Sequence, residues 1–143
     1  MKLIKIEQNC TEITFPYVSH LLEKAIEHSD GEYRIDDILS SLLDGSLTLW
    51  VGCSEEDKRI VFAGITAIVV YPRYSVLLIT HVGAENNKFI KYIEETWDED
   101  SELMKYIKLN NLKRVEILGR SGWLRALNKV GFKKSYTALT KDI

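Results

Sequence analysis

The apolar pattern of this chain changes period at Gly45, and that change narrows what it can fold into. Before it, Ile35, Ile38, Leu39, Leu42 and Leu43 fall at i, i+3, i+4, i+7 and i+8, one face of an α-helix. Gly45 stands where a left-handed helix cap belongs. After it, Leu47, Leu49 and Val51 alternate with Thr48, Trp50 and Gly52, the two-residue period of a strand. A polar turn over residues 54–58 leads into the β-branched stretch 60–71. Pro72-Arg73-Tyr74 makes a second turn, and residues 76–82 a third strand. Short loops joining three consecutive strands predict an antiparallel meander.

The flanks complete the pattern. Leu3-Ile4-Lys5-Ile6 is a short alternation that predicts a strand. Pro16 suits a first helical turn, where its missing N–H costs nothing. Tyr17, Val18, Leu21, Leu22, Ala25 and Ile26 then share one helical face up to Asp30-Gly31. Helical spacing returns at Asn86, with Phe89, Ile90, Ile93 and Trp97 in one stripe and Leu103, Met104 and Ile107 in another. The acidic run Asp98-Glu99-Asp100 between them is expected to break or kink the helix. Residues 113–118 read as a strand, 123–130 as a short helix ended by Gly131, and 133–140 as a last strand.

The predicted order is β-α-α-β-β-β-α-β-α-β. A strand, a helix of roughly twenty residues and another strand form a βαβ crossover, which makes 76–82 and 113–118 parallel neighbours. The expected fold is α/β (α+β), a mixed, mostly antiparallel sheet with helices on both faces, in one domain over residues 1–143.

Composition excludes several classes. With 45% hydrophobic and 28% charged residues, 8 Gly and 2 Pro in 143, the chain is neither disordered nor low-complexity. No apolar run approaches the ~20 residues that span a bilayer. Met1-Lys2-Leu3-Ile4-Lys5 meets charge too soon for a signal segment. Cys10 and Cys53 have no CxxC spacing, and the three histidines complete no metal pattern. A cytoplasmic, metal-free protein is the expectation. Charge divides unevenly: residues 1–104 carry 9 basic and 19 acidic side chains, residues 105–143 carry 10 and 2. Either the basic third faces something anionic, or the two parts pair with each other across the fold.

The C-terminal segment narrows the reading further. Lys113-Arg114-Val115-Glu116-Ile117-Leu118-Gly119-Arg120-Ser121-Gly122-Trp123-Leu124-Arg125, followed by Val130-Gly131-Phe132, is a strand ending in Gly-Arg-x-Gly-Trp, a short helix and a Gly-Phe. Together with Val82-Gly83-Ala84-Glu85, and with the order of elements, this resembles the GNAT superfamily of acyl-CoA-dependent N-acetyltransferases. The segment is similar in particular to the small GNAT-like proteins of tailed bacteriophages. The resemblance implies acetyl-CoA (or CoA) lying between two splayed parallel strands, its pyrophosphate on the loop before the long helix. Here that loop is Val82, Gly83, Ala84, Glu85, Asn86, Asn87 and Lys88, with only Gly83 free in φ. Glu85 places a carboxylate where phosphates are expected, and Lys88 partly offsets it. The tyrosine that many members carry before the Gly-Phe falls here at Leu127.

Several side chains are candidates for chemistry, each with a structural alternative. His81 ends an apolar strand and is a base near pH 7 or a backbone-bonded strand-end histidine. Tyr136 is the substitute proton donor or a structural residue. Arg120, bracketed by Gly119 and Gly122, is a phosphate ligand or an internal ion-pair partner. Glu116 is a buried carboxylate, an exposed charge, or a partner for Arg114 or Arg120. Trp123 lines a pocket or belongs to the core.

Three functions compete: an acetyl-CoA-dependent N-acetyltransferase acting on a small-molecule or protein amine, a non-catalytic phage protein that uses the fold as an interaction scaffold, and nucleic-acid binding. A pI near 5.9 and the lack of a known DNA-binding motif disfavour the last. A homodimer or a phage or host protein is the expected macromolecular partner, in the bacterial host cytoplasm if phage-encoded.

Overall fold

A computed structural model describes residues 1–143. Five strands form one sheet: β1 (Lys2–Ile6), β2 (Thr48–Cys53), β3 (Ile60–Val70), β4 (Ser75–Ala84) and β5 (Arg114–Ile117), side by side in that order. β1 to β4 pair antiparallel. β4 and β5 run parallel, with Val76 opposite Arg114 through Ile79 opposite Ile117. The mixed sheet and its parallel pair are therefore as the alternation and the crossover predicted.

Helices cover both faces. On one, α1 (Thr11–Ile26) and α2 (Ile35–Leu43) pack Phe15, Val18, Leu21, Leu22, Ile38 and Leu42 onto Leu49, Val51, Ala63 and Ile65. Val18, Leu21, Leu22 and Ile38 are fully buried, each contributing roughly 1.5–3 kcal/mol of transfer free energy. On the other, α3 (Phe89–Glu95) and α4 (Glu102–Leu109) set Phe89, Tyr92, Leu103 and Tyr106 against Trp50, Phe62, Leu77 and Ile79. The Trp50 indole N–H donates to Thr66 Oγ1 at 2.9 Å, so this buried aromatic leaves no polar group unpaired.

Three local expectations need comment. Pro16 lies in the second turn of α1, not the first, because the helix begins five residues earlier at Thr11. Thr11 is buried, and the Thr14 hydroxyl donates to the Cys10 carbonyl at 2.9 Å across the entry from the preceding turn. The acidic run does break the next helix. Ser101 restarts it as the cap of α4, its Oγ accepting from the Met104 N–H at 3.2 Å.

The last strand does not form. Residues 133–143 make no backbone hydrogen bond, and Tyr136 and Leu139 are 77% and 91% exposed. Alternation alone does not hold a strand that has no face to bury. The four-residue β5 is thus left as the edge of the sheet.

One irregularity in β4 matters for everything beyond it. Ile65 lies opposite His81 while Thr66 lies opposite Ile79, so Thr80 is an extra residue, a β-bulge. Before the bulge, Leu77 and Ile79 face the α3/α4 core; after it, Val82 and Ala84 do. His81 and Gly83 are thereby turned towards α1. A side chain at Gly83 would run into the backbone carbonyl of Leu21, so α1 lies on β4 closely enough to require glycine there. Replacing Gly83 by Ala should lower the unfolding free energy by about 1–3 kcal/mol through overpacking. Gly122→Ala, where nothing lies within 4 Å, should change it by less than about 0.5 kcal/mol. Chemical denaturation of the two variants checks the contrast.

Candidate active site where the parallel strands part

β5 leaves β4 at a definite point. The Leu118 N–H donates to the Ile79 carbonyl at 3.4 Å, and then β5 has ended while β4 continues to Ala84. Leu118 is 69% exposed, and Gly119 and Arg120 follow it into solvent. The Ser75 and Ile79 carbonyls accept from Lys113 and Leu118, so alternate residues of β4 aim their backbone groups at β5. The extra residue Thr80 shifts that alternation by one. Beyond it, the backbone groups of Val82 and Ala84 aim away from β3 and into the opening. This is an unpaired strand edge, ready to receive an extended molecule that carries amides.

The expected cofactor loop is shorter than the sequence indicated. Val82, Gly83 and Ala84 are strand residues, buried and opposite Gly64, Ala63 and Phe62. Gly83 is glycine for the close approach of α1, not for freedom in a loop. The loop proper is Glu85 to Lys88, a single 3₁₀ turn in which the Lys88 N–H donates to the Glu85 carbonyl at 3.1 Å. Asn86 and Asn87 have φ of 52° and 56°, left-handed values that asparagine tolerates best after glycine. The Glu85 carboxylate is turned onto Arg59, with Nη1–Oε2 at 3.1 Å. That guanidinium from the turn before β3 offsets its charge, and Lys88 is exposed beside it.

His81 is the most constrained titratable side chain near the opening. It is 8% exposed. Its Nδ1 lies 3.0 Å from Thr80 Oγ1, and the Tyr33 ring meets it edge-on with centroids 5.2 Å apart. Burial holds its pKa below the ordinary 6.5, against a smaller opposing pull from the Glu32 carboxylate. The imidazole is therefore neutral at pH 7. Its Nε2 has no partner in the protein and still reaches solvent, since the one sealed side-chain atom without a partner is Trp97 Nε1.

Glu32 and Tyr33, with His28, come from the loop between α1 and α2, and the sequence did not single them out. A loop has no apolar period, so only the aromatic in the polar stretch Gly31-Glu32-Tyr33 marked it. Arg120 meets this loop from the other side: its Nη1 lies 3.5 Å from His28 Nδ1, and its Cζ lies 5.5 Å from the Trp123 ring centre. Trp123 stacks on Phe89 at 4.4 Å with the planes 34° apart, tying the turn after β5 to the start of α3. Gly119 is small because a Cβ there would strike the Trp123 ring. The bracketing glycine thus makes room for Trp123 rather than for a ligand.

The remaining candidates sit elsewhere. Glu116 pairs with Arg114, not Arg120, at 2.8 Å, and accepts from the Tyr71 hydroxyl at 3.3 Å. Burial, and then the Glu116 charge, push the Tyr71 phenol pKa up. Tyr136 stands close enough to Tyr71 to act on that phenol too. Tyr136 itself is 77% exposed, in the segment after Gly131 that forms no strand. Leu127, on α5 (Leu124–Leu127), is 4% exposed and belongs to the core. Cys53 is half-buried.

Solved structures of acetyltransferases superpose on this one over nearly the whole chain. An aminoglycoside acetyltransferase from an uncultured soil metagenomic sample, in complex with sisomicin, superposes with a TM-score of 0.66 at 13% identity over 99% of this chain and 95% of its own. A predicted acetyltransferase from Clostridium acetobutylicum, solved with acetyl-CoA, gives 0.62 at 15% over 99% and 95%. Glucosamine-6-phosphate N-acetyltransferase from Arabidopsis thaliana gives 0.63 at 15% over 99% and 97%. The chain has the GNAT acetyltransferase fold. No protein-family model and no curated protein matches the sequence.

Within the GNAT fold of this chain, His81 gives a pH signature of its own. Its folded pKa lies below 6.5, so the unfolded chain binds a proton that the folded one refuses. Stability contributed by neutral His81 is complete above pH 6.5 and is lost as the pH falls from there through the folded value. Unfolding free energy should therefore decline on acidification below pH 6.5 in the wild type, and less steeply in His81→Gln. Denaturation series over that window measure the difference.

Proposed function

We propose that this protein is an acetyl-CoA-dependent N-acetyltransferase with His81 as its general base. The observation that carries the reading is the bare Nε2 of a buried, neutral imidazole beside the opening between β4 and β5. The residues lining that opening fit the cofactor. Backbone groups of Val82 and Ala84 offer a strand edge to an amide-bearing arm, and Arg120 and Lys88 are exposed cations for phosphates. Arg59 draws the carboxylate of the loop after β4, Glu85, to itself. When bound, acetyl-CoA supplies a thioester carbonyl that an uncharged amine can attack.

The acceptor is an amine entering from the α1–α2 loop. It arrives protonated, is drawn towards the Glu32 carboxylate, and gives its proton to Nε2. A base neutral at pH 7 suits that task, since its lone pair is present where the enzyme works. As the amide C–N bond forms the C–S bond would break, the CoA sulfur leaving with the amine's second proton as a free thiol. His81 would hold the first, the one proton released overall. Leu127 has none to give and lies in the core, and Tyr136 has no part in this arrangement.

Acetyl-CoA at a hundred times its dissociation constant should stabilise the protein by about 2.7 kcal/mol in thermal unfolding. No shift at millimolar acetyl-CoA overturns the reading. It would favour the second one, a non-catalytic binding scaffold, to which the buried Leu127 is congenial. His81→Gln should lower kcat/KM for an amine roughly 10²- to 10⁴-fold and leave acetyl-CoA affinity unchanged. Arg120→Ala should weaken CoA binding about ten- to a hundred-fold. Because the side chain is exposed, the apo melting temperature should stay where it is.

A further inference from the structure

Adjacent side chains of a regular strand point to opposite faces and cannot hydrogen-bond each other. Thr80 and His81 do so because Thr80 is the extra residue of the bulge. The Thr80 hydroxyl has a single proton and two neighbours. One is the Ile65 carbonyl, 3.3 Å from Oγ1, which can only accept. The other is His81 Nδ1 at 3.0 Å. With the hydroxyl proton directed at Ile65, an oxygen lone pair faces the imidazole, and the ring must donate.

We infer that Thr80 fixes His81 as the Nδ1–H tautomer and is thereby a positioning residue, leaving the lone pair on Nε2 to take the acceptor's proton. The catalytic part of this inference rests on the reading of His81 as a base; the tautomer itself does not. Tyr33, edge-on to the ring, restrains its plane from the other side. The opposite arrangement, with the hydroxyl donating to Nδ1, would put the ring proton on Nε2 and disable that nitrogen as a base.

The tautomer can be read directly by long-range ¹H–¹⁵N correlation on protein labelled at histidine, at a pH above 6.5. The expected result for His81 is a protonated, pyrrole-type Nδ1 and a bare, pyridine-type Nε2. The reverse pattern overturns the inference, and needs no variant to do so. Thr80→Val keeps the branched shape and removes both hydrogen bonds. It should mix the two tautomers and lower kcat/KM about tenfold with KM for acetyl-CoA unchanged. Thr80→Ser should restore both the spectrum and the rate. A rate loss in Thr80→Val with the wild-type tautomer intact would show a merely structural role and overturn the positioning claim. If the wild type shows the expected tautomer but no amine is acetylated, the acetyltransfer reading fails while the assignment of Thr80 stands.

Discussion

Thr80 is inserted between two halves of β4 whose pairing with β3 is otherwise regular, and the whole opening depends on that insertion. Without it, residues beyond 80 would keep the earlier alternation. His81 would then face the α3/α4 core, and Val82 would be turned to the α1 side. The backbone groups of Val82 and Ala84 would point at β3 instead of into the gap. With it, one face of β4 stays continuously apolar across the bulge, from Leu77 and Ile79 to Val82 and Ala84. The core loses nothing, and the edge gains a set of free backbone groups exactly one bulge away from the last bond to β5.

The second constraint is the pressure of α1 on the same strand. Leu21 and Leu22 are fully buried, and the Leu21 carbonyl sits where any side chain at residue 83 would have to go. α1 therefore holds the end of β4 flat against the sheet. Its C-terminal continuation then carries Glu32 and Tyr33 over His81. The helix that stabilises the fold also places the loop that covers the candidate base.

Much of this architecture was legible in the sequence because burial leaves a period behind. The α2 stripe from Ile35 to Leu43 and the alternation Leu47, Leu49, Val51 announce a helix and a strand, and both form. The crossover from 76–82 to 113–118 implied the parallel pair through its strand–helix–strand order and its length, and β4 and β5 do pair that way. What was not legible leaves no period. A bulge adds one residue without ending the strand, and the polar pair Thr80-His81 between Ile79 and Val82 reads in the sequence as a strand end rather than as an insertion. The strand expected over 133–140 had alternation but no buried face. The proline rule placed the start of α1 at Pro16, although buried Thr11 and Phe15 extend the helix backwards. His81 was found because it is rare chemistry where the apolar run stops, although β4 itself runs on to Ala84; Glu32, Tyr33 and His28 were missed because loop partners are set by tertiary contact.

The uneven charge resolves in one direction. None of the five ion pairs joins the basic segment 105–143 to the acidic remainder; its one pair, Arg114 with Glu116, is internal to it. The cations on the turn and helix after β5 are thus not consumed in holding the two parts together. Arg120 leans on Trp123 and meets only the His28 ring. A guanidinium held by stacking keeps most of its donors free. Backbone groups from β4 on one side of the opening and free cations from the turn after β5 on the other demand little of side-chain identity. Under the proposed function, recognition built that way would constrain the path of the chain more than its residues. That is consistent with a fold shared at 13–15% identity over nearly entire chains when no family model recognises the sequence.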